Sequence, residues 1–195
     1  MNHAWLGLCA VLFCGCAAQQ SKLMHSSMLL DTTPPAGAAL VVFVRDSNPC
    51  DGGDPFRLVD DQYRFIGESV PSSKFAVRVP PGEHAFFAWQ PYGDLPRDLY
   101  PNVNQVGALQ SEFEAGKTYT VEVSITNATH GVRKTCFAYQ FLALRMVNPD
   151  DASMSEVLGK AMPLTPDVVA GQAMVNRERA AVEAHVALGM SKLGR

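Results

Sequence analysis

Between residues 38 and 147, β-branched and aromatic side chains recur in short runs, and glycine, proline, asparagine or aspartate separates one run from the next. Successive side chains of a strand point to opposite faces, so alternation with period two marks a half-buried strand, whereas a helix needs spacings of three and four. Tyr119, Val121, Val123 and Ile125 alternate in this way, as do Phe75, Val77 and Val79, which are expected to face inward. Residues 39–44 are apolar without interruption, as a central strand covered on both sides would be. No helical period intervenes between these runs, so βαβ units are excluded. The expected fold is mainly β, an antiparallel β-sandwich of about seven or eight strands.

The connections carry their own signals. Residues 46–55 hold Asn48-Pro49 and the run from Asp51 to Pro55, a dense turn that carries Cys50. Residues 56–59 and 63–67 are expected to pair across Asp60, Asp61 and Gln62. Pro80, Pro81 and Gly82 separate two further strands and predict a hairpin, because proline presets the turn and Gly82 accepts positive φ. An irregular segment from residue 91 to 104, with Pro91, Pro96 and Pro101 in or beside it, precedes runs at 108–113, 119–125 and 136–146.

After the sandwich, residues 148–195 are expected to be helical. Residues 152–161 predict a short helix with Met154, Val157 and Leu158 as its apolar face. Thr165 and Pro166 predict a second start, threonine as N-cap and proline at the first helical position, and the helix runs to about Leu193. Gly171 and Gly189 interrupt it at a cost of about 1 kcal/mol each. Val168, Val175, Val182, Val186 and Met190 form a stripe at helical spacing that either packs on the sandwich or docks another protein.

The address is written at the other end of the chain. An apolar run from Ala4 to Phe13 is too short to span a bilayer and ends in Leu12-Phe13-Cys14-Gly15-Cys16. The segment resembles a bacterial lipoprotein signal peptide, which implies cleavage before Cys16 and lipid on its thiol. Residues 1–15 are then leader, 16–37 a lipidated tether, and 38–147 the sandwich. Met28, Leu29 and Leu30 offer the tether an alternative docking on the domain. Ala17 after the cysteine, by the same resemblance, implies an outer-membrane location with the face undetermined. Of five cysteines this leaves Cys50 and Cys136 to pair in an oxidising compartment, a bridge worth roughly 4 to 5 kcal/mol by loop entropy.

Three further stretches resemble one family. The opening from Gly37 to Arg45, the Val-Pro-Pro-Gly-Glu-His turn from Val79 to His84 and the Ala-Gly-Lys-Thr-Tyr run from Ala115 to Tyr119 are similar to the DUF2846-like group of uncharacterised bacterial lipoprotein domains. The resemblance covers residues 37–147. It implies a small sandwich of transthyretin or immunoglobulin-like character, and it supplies no catalytic residues.

Little in the chain announces chemistry. A net charge of −3 with 18% charged residues gives no basic surplus for nucleic acid. The five histidines form no ligand spacing, and Asp51, Asp54, Asp60 and Asp61 match no calcium loop, so neither a metal nor a cofactor is expected. There is no nucleophile elbow, Walker loop or dinucleotide fingerprint. His84 beside the Pro-Pro-Gly turn is expected to fix that turn; the alternative is an envelope hydrolase using His84 with the Asp51 to Asp61 acids. Trp89, Tyr92 and Tyr100 flank the proline-rich segment and are the candidate binding surface. The functional expectation is a non-enzymatic binding or accessory module, held to the membrane by its lipid, with an envelope protein as partner. A structural subunit docked through the C-terminal helix is the alternative.

Overall fold

The uninterrupted apolar run forms β2 (Ala39–Arg45), and all seven of its residues are buried. The computed structural model describes residues 21–47, 53–91, 106–127 and 140–194. Ahead of β2 lies a three-residue strand, β1 (Met24–Ser26). After it come β3 (Phe56–Asp60), β4 (Phe65–Ser69), β5 (Ser73–Val79), β6 (Gly82–Trp89), β7 (Val106–Phe113), β8 (Thr118–Asn127) and β9 (Gln140–Val147). The chain closes with α1 (Ala152–Lys160), β10 (Met162–Pro166), α2 (Val168–Arg177) and α3 (Arg179–Lys192). One sheet has the order β1-β10-β5-β2-β8-β9 and the other β4-β3-β6-β7. Pairing is antiparallel except between β2 and β8 and between β10 and β5, which run parallel. The expected mainly β sandwich is thus present, with ten strands among the described residues rather than seven or eight.

The two sheets meet through alternate side chains. Ala39, Val41, Phe43, Phe75, Val79, Val121 and Val123 face Phe56, Leu58, Phe86, Ala88 and Phe113 in one buried cluster. Phe43 stacks on Phe75 at 5.2 Å and meets Phe86 edge-on at 5.3 Å, so one ring joins the two sheets. Such pairs add about 0.5–1.5 kcal/mol each beyond the area they bury. At the end of β2, the buried Arg45 guanidinium lies 3.9 Å from the Phe56 ring centre and donates to the carbonyls of Ser69 and Asp54 at 2.7 and 2.8 Å.

Four expectations are corrected by the structure. Pro80 and Pro81 do not make a hairpin: β5 lies between β10 and β2, whereas β6 lies between β3 and β7 in the other sheet. Proline has no N–H to give a ladder, and Gly82 at φ 123° turns the chain from one sheet to the other. Residues 162–166 are not the start of a helix but β10, and Asp167 is the N-cap, accepting from Ala170 N at 2.9 Å. The long helix is also divided, at Glu178 (φ −100°, ψ 21°). Within the stretch read as tether, β1 pairs with β10, and Met24 is buried and accepts from Glu68 N at 3.2 Å. The tie is continued by Ser21, whose hydroxyl donates to Glu68 and accepts from Leu23 N.

Helices α2 and α3 form a third layer. Met174, Val175, Val182 and Val186 pack on Val59, Phe65, Ala85, Phe87, Trp89 and Val106, the outer face of the four-stranded sheet. The expected stripe therefore packs on the sandwich, although Val168 is exposed. Smaller α1 carries Met154 against Val44 on the outer face of β2, with Val157 and Leu158 beside it. Gly171 and Gly189, costly to the helices in isolation, are what bring them close: a Cβ on Gly171 would overlap the Phe65 ring, and one on Gly189 the Phe87 ring.

This reverses the sign expected of Gly171→Ala. Helix propensity alone would stabilise the protein by about 1 kcal/mol. Overlap with Phe65 is predicted to destabilise it by about 1–3 kcal/mol net, lowering the midpoint of thermal unfolding by several degrees. A raised midpoint would contradict the packing.

Candidate functional site

Of the residues singled out in the sequence, Cys16, Cys50, Cys136, Tyr92 and Tyr100 lie outside the described residues, as does Asp51. Trp89 is described, and it is not a surface residue. Only 4% exposed, it belongs to the layer between the four-stranded sheet and the helices. The physical reason is the face it occupies: in β6, Ala85, Phe87 and Trp89 point toward the helices while Phe86 and Ala88 point between the sheets.

His84, Asp54 and Asp60 have structural partners, whereas Asp61 Oδ1 is buried with no hydrogen-bond partner among the described residues. A ring nitrogen of His84 meets the Pro80 carbonyl at 2.9 Å across the corner between the sheets. Asp60 is buried and holds the turn between β3 and β4, accepting from Gln62 N at 3.0 Å and Arg64 N at 2.8 Å. Its other oxygen takes the Arg64 side chain. Asp54 accepts from Gln90 at 2.7 Å. No group of three His, Cys, Asp or Glu residues that could hold a metal ion occurs among the described residues.

A network of charge joins the first described residues to the helices. Arg57 on β3 reaches Glu68 on β4 at 3.3 Å and also Glu178 at the break between α2 and α3. Glu68 is buried and takes the Ser21 hydroxyl as well. Removing Arg57 would leave a buried carboxylate with only neutral donors, the costly case for a buried pair. Sequence reasoning missed this set because its bonded partners are separated by up to 121 positions. The one available signal was Glu68 within a run of otherwise apolar and small strand residues.

Beside this network, the beginning of β1 and the beginning of α2 form a single end of the molecule. Asp167 N donates to Leu23 O at 2.8 Å, and His25 Nε2 lies 3.4 Å from the Asp167 carboxylate. The Ala170 amide, and secondarily His25, hold that carboxyl below its ordinary range, as suits a helix cap. Next to it, Val168 is 56% and Val169 83% exposed. Lys22 is exposed too.

On the outer face of the six-stranded sheet, Leu29, Leu30, Leu40, Ala76, Arg78 and Leu164 line a groove of about 270 Å³. That is slightly below the volume usual for a small-ligand site. Its charged pair, Asp31 with Arg78 at 3.8 Å, is largely exposed and therefore weak. Leu29 itself is 85% exposed, so the chain leading into β2 runs along this face without filling it.

In comparison with known proteins, the chain matches no family model, and no curated protein is significantly similar to it.

His185 on α3 gives the helix layer a pH dependence. Its ring stacks on Trp89 at 5.0 Å, and Nδ1 donates to Ala181 O at 2.6 Å. Burial is the largest influence and lowers its pKa; the Ala181 carbonyl opposes this, and the charge of Arg57 adds to the lowering. A depressed folded pKa means that the fold prefers the neutral ring. Stability is then complete above the ordinary histidine value near 6.5 and is lost as pH falls toward the depressed folded value. The midpoint of thermal unfolding is predicted to fall between about pH 7 and pH 5, with a shallower fall in His185→Phe. Equal slopes for the two proteins would contradict this assignment.

Proposed function

We propose that the chain is a bacterial envelope lipoprotein, anchored through lipid on Cys16 and acting as a non-enzymatic binding or accessory module. The observation that carries this reading is the Leu12-Phe13-Cys14-Gly15-Cys16 sequence at the end of a short apolar run, followed within five residues by Ser21, where the described fold begins. A leader that ends so close to folded structure suits a lipidated cysteine, which needs no long arm. The likeness of residues 37–147 to uncharacterised lipoprotein domains agrees with it, as does Ala17 with an outer-membrane destination.

The sandwich supplies a rigid scaffold, which by itself assigns no activity. An envelope protein is the partner we favour. It would meet the outer surface of α2 and α3, with Arg177, Arg179 and Glu183, because their apolar stripe is already used against the sheet. A bridge between Cys50 and Cys136 belongs to the same proposal, since it requires the oxidising side of the membrane.

Labelled palmitate tests the reading in cells. The full-length chain is expected to carry the label into the membrane fraction, and Cys16→Ala to lose both label and sedimentation with membranes. Absence of label from the wild-type chain, or equal label on Cys16→Ala, would contradict it.

A further inference from the structure

From the position of Ser21 and the exposed valines beside it, we infer that the end of the molecule formed by Lys22, Leu23, Val168 and Val169 rests on the phospholipid headgroups. This inference depends on lipid attachment at Cys16. Four residues lie between Cys16 and Ser21, so the chain takes five Cα-to-Cα steps from one to the other. A peptide covers at most about 3.6 Å per residue, so the Cα atoms of Cys16 and Ser21 lie no more than about 18 Å apart.

Ser21 is not a loose end that lengthens this reach. Its hydroxyl bonds Glu68 and the amide of Leu23, and three residues later Met24 is buried in the core. A folded body of this size is about 40 Å across. An anchor that reaches less than half of that distance cannot let the far side face the lipid. The side that bears Ser21 does so.

What lies there fits a headgroup surface. The Leu23 carbonyl takes the Asp167 amide at 2.8 Å, which sets the first turn of α2 within a few ångströms of the attachment segment. That turn presents Val168 and Val169, 56% and 83% exposed. Two exposed β-branched residues on the first turn of a helix cost solvation in water, and the boundary between headgroups and acyl chains relieves it. Lys22 beside them is placed to lay its stem along that boundary and its ammonium among the phosphates. The opposite edge of the six-stranded sheet, β9, lies five strand spacings away, about 24 Å, and is held clear of the membrane.

The test uses the full-length, lipidated protein in phosphatidylethanolamine–phosphatidylglycerol vesicles doped with a lipid that carries a nitroxide near the headgroup end of the acyl chain. Val169→Trp is expected to lose emission to the nitroxide and to shift toward shorter wavelength, and Arg145→Trp on β9 to change in neither respect. Val168→Trp gives an independent reading should Val169→Trp fail to fold, and buried Trp89 is a constant background. The mass of the N-terminal peptide reports the lipid separately. Lipid on Cys16 with Val169→Trp and Val168→Trp both unquenched overturns the orientation and leaves the lipoprotein reading intact; a second copy or a protein partner over the valines would give that result. A peptide without lipid overturns both.

Discussion

The fold depends on the burial of β2 on both faces. A strand whose seven residues are all buried cannot lie at an edge or have one side in water, so each of its faces needs a cover and each of its edges a partner. Partners come from β5 and β8, one antiparallel and one parallel. Inner cover is the four-stranded sheet, where the Phe43, Phe75 and Phe86 rings interlock. Outer cover at Val44 is α1. The parallel pairing of β2 with β8 is possible because the chain from β3 to β7 lies between them in sequence and supplies the long crossover that a parallel pair requires.

Covering one face creates the next demand. The four-stranded sheet has apolar residues on its outer side as well, with Phe65, Phe87 and Trp89 prominent, and α2 and α3 exist to cover them. Glycine at 171 and 189 sets how closely they approach. Arg57 fixes where the helix breaks, by holding Glu178 while it also neutralises buried Glu68. Through Ser21, the same Glu68 fixes the start of the described fold. One buried carboxylate therefore couples Ser21, ahead of β1, to the helix layer more than a hundred positions later in sequence (about 157 to Glu178).

What the sequence made legible was what depends on local periodicity. The runs at residues 39–45, 75–79 and 119–125 appear as strands because alternation and β-branching are properties of a few neighbouring residues. What it hid depends on distant partners. Pro80-Pro81-Gly82 has the local chemistry of a hairpin turn, and only the pairing of β5 and β6 with other strands makes it a corner. Thr165-Pro166 has the local chemistry of a helix start, yet β1 pairs with it as strand and the cap passes to Asp167. Trp89 read as surface because it borders a proline-rich segment, whereas the face of β6 on which it stands is covered from residues nearly a hundred positions later (about 93 to Val182). The meeting of β1 with the start of α2 was invisible for the same reason: Leu23 and Asp167 are neighbours only in space.

The C-terminal helices are a layer of the core through their apolar face. Burying Met174, Val175, Val182 and Val186 contributes roughly 6–12 kcal/mol at 1.5–3 kcal/mol each, an upper figure, which is comparable to the whole net stability of a domain. The most direct test is equilibrium unfolding of the chain truncated after Asp167, followed by tryptophan fluorescence and dye binding. Loss of the cooperative transition, with Trp89 exposed to solvent and the dye bound to the uncovered sheet, is the predicted result. A cooperative transition at the midpoint of the full-length protein would contradict it.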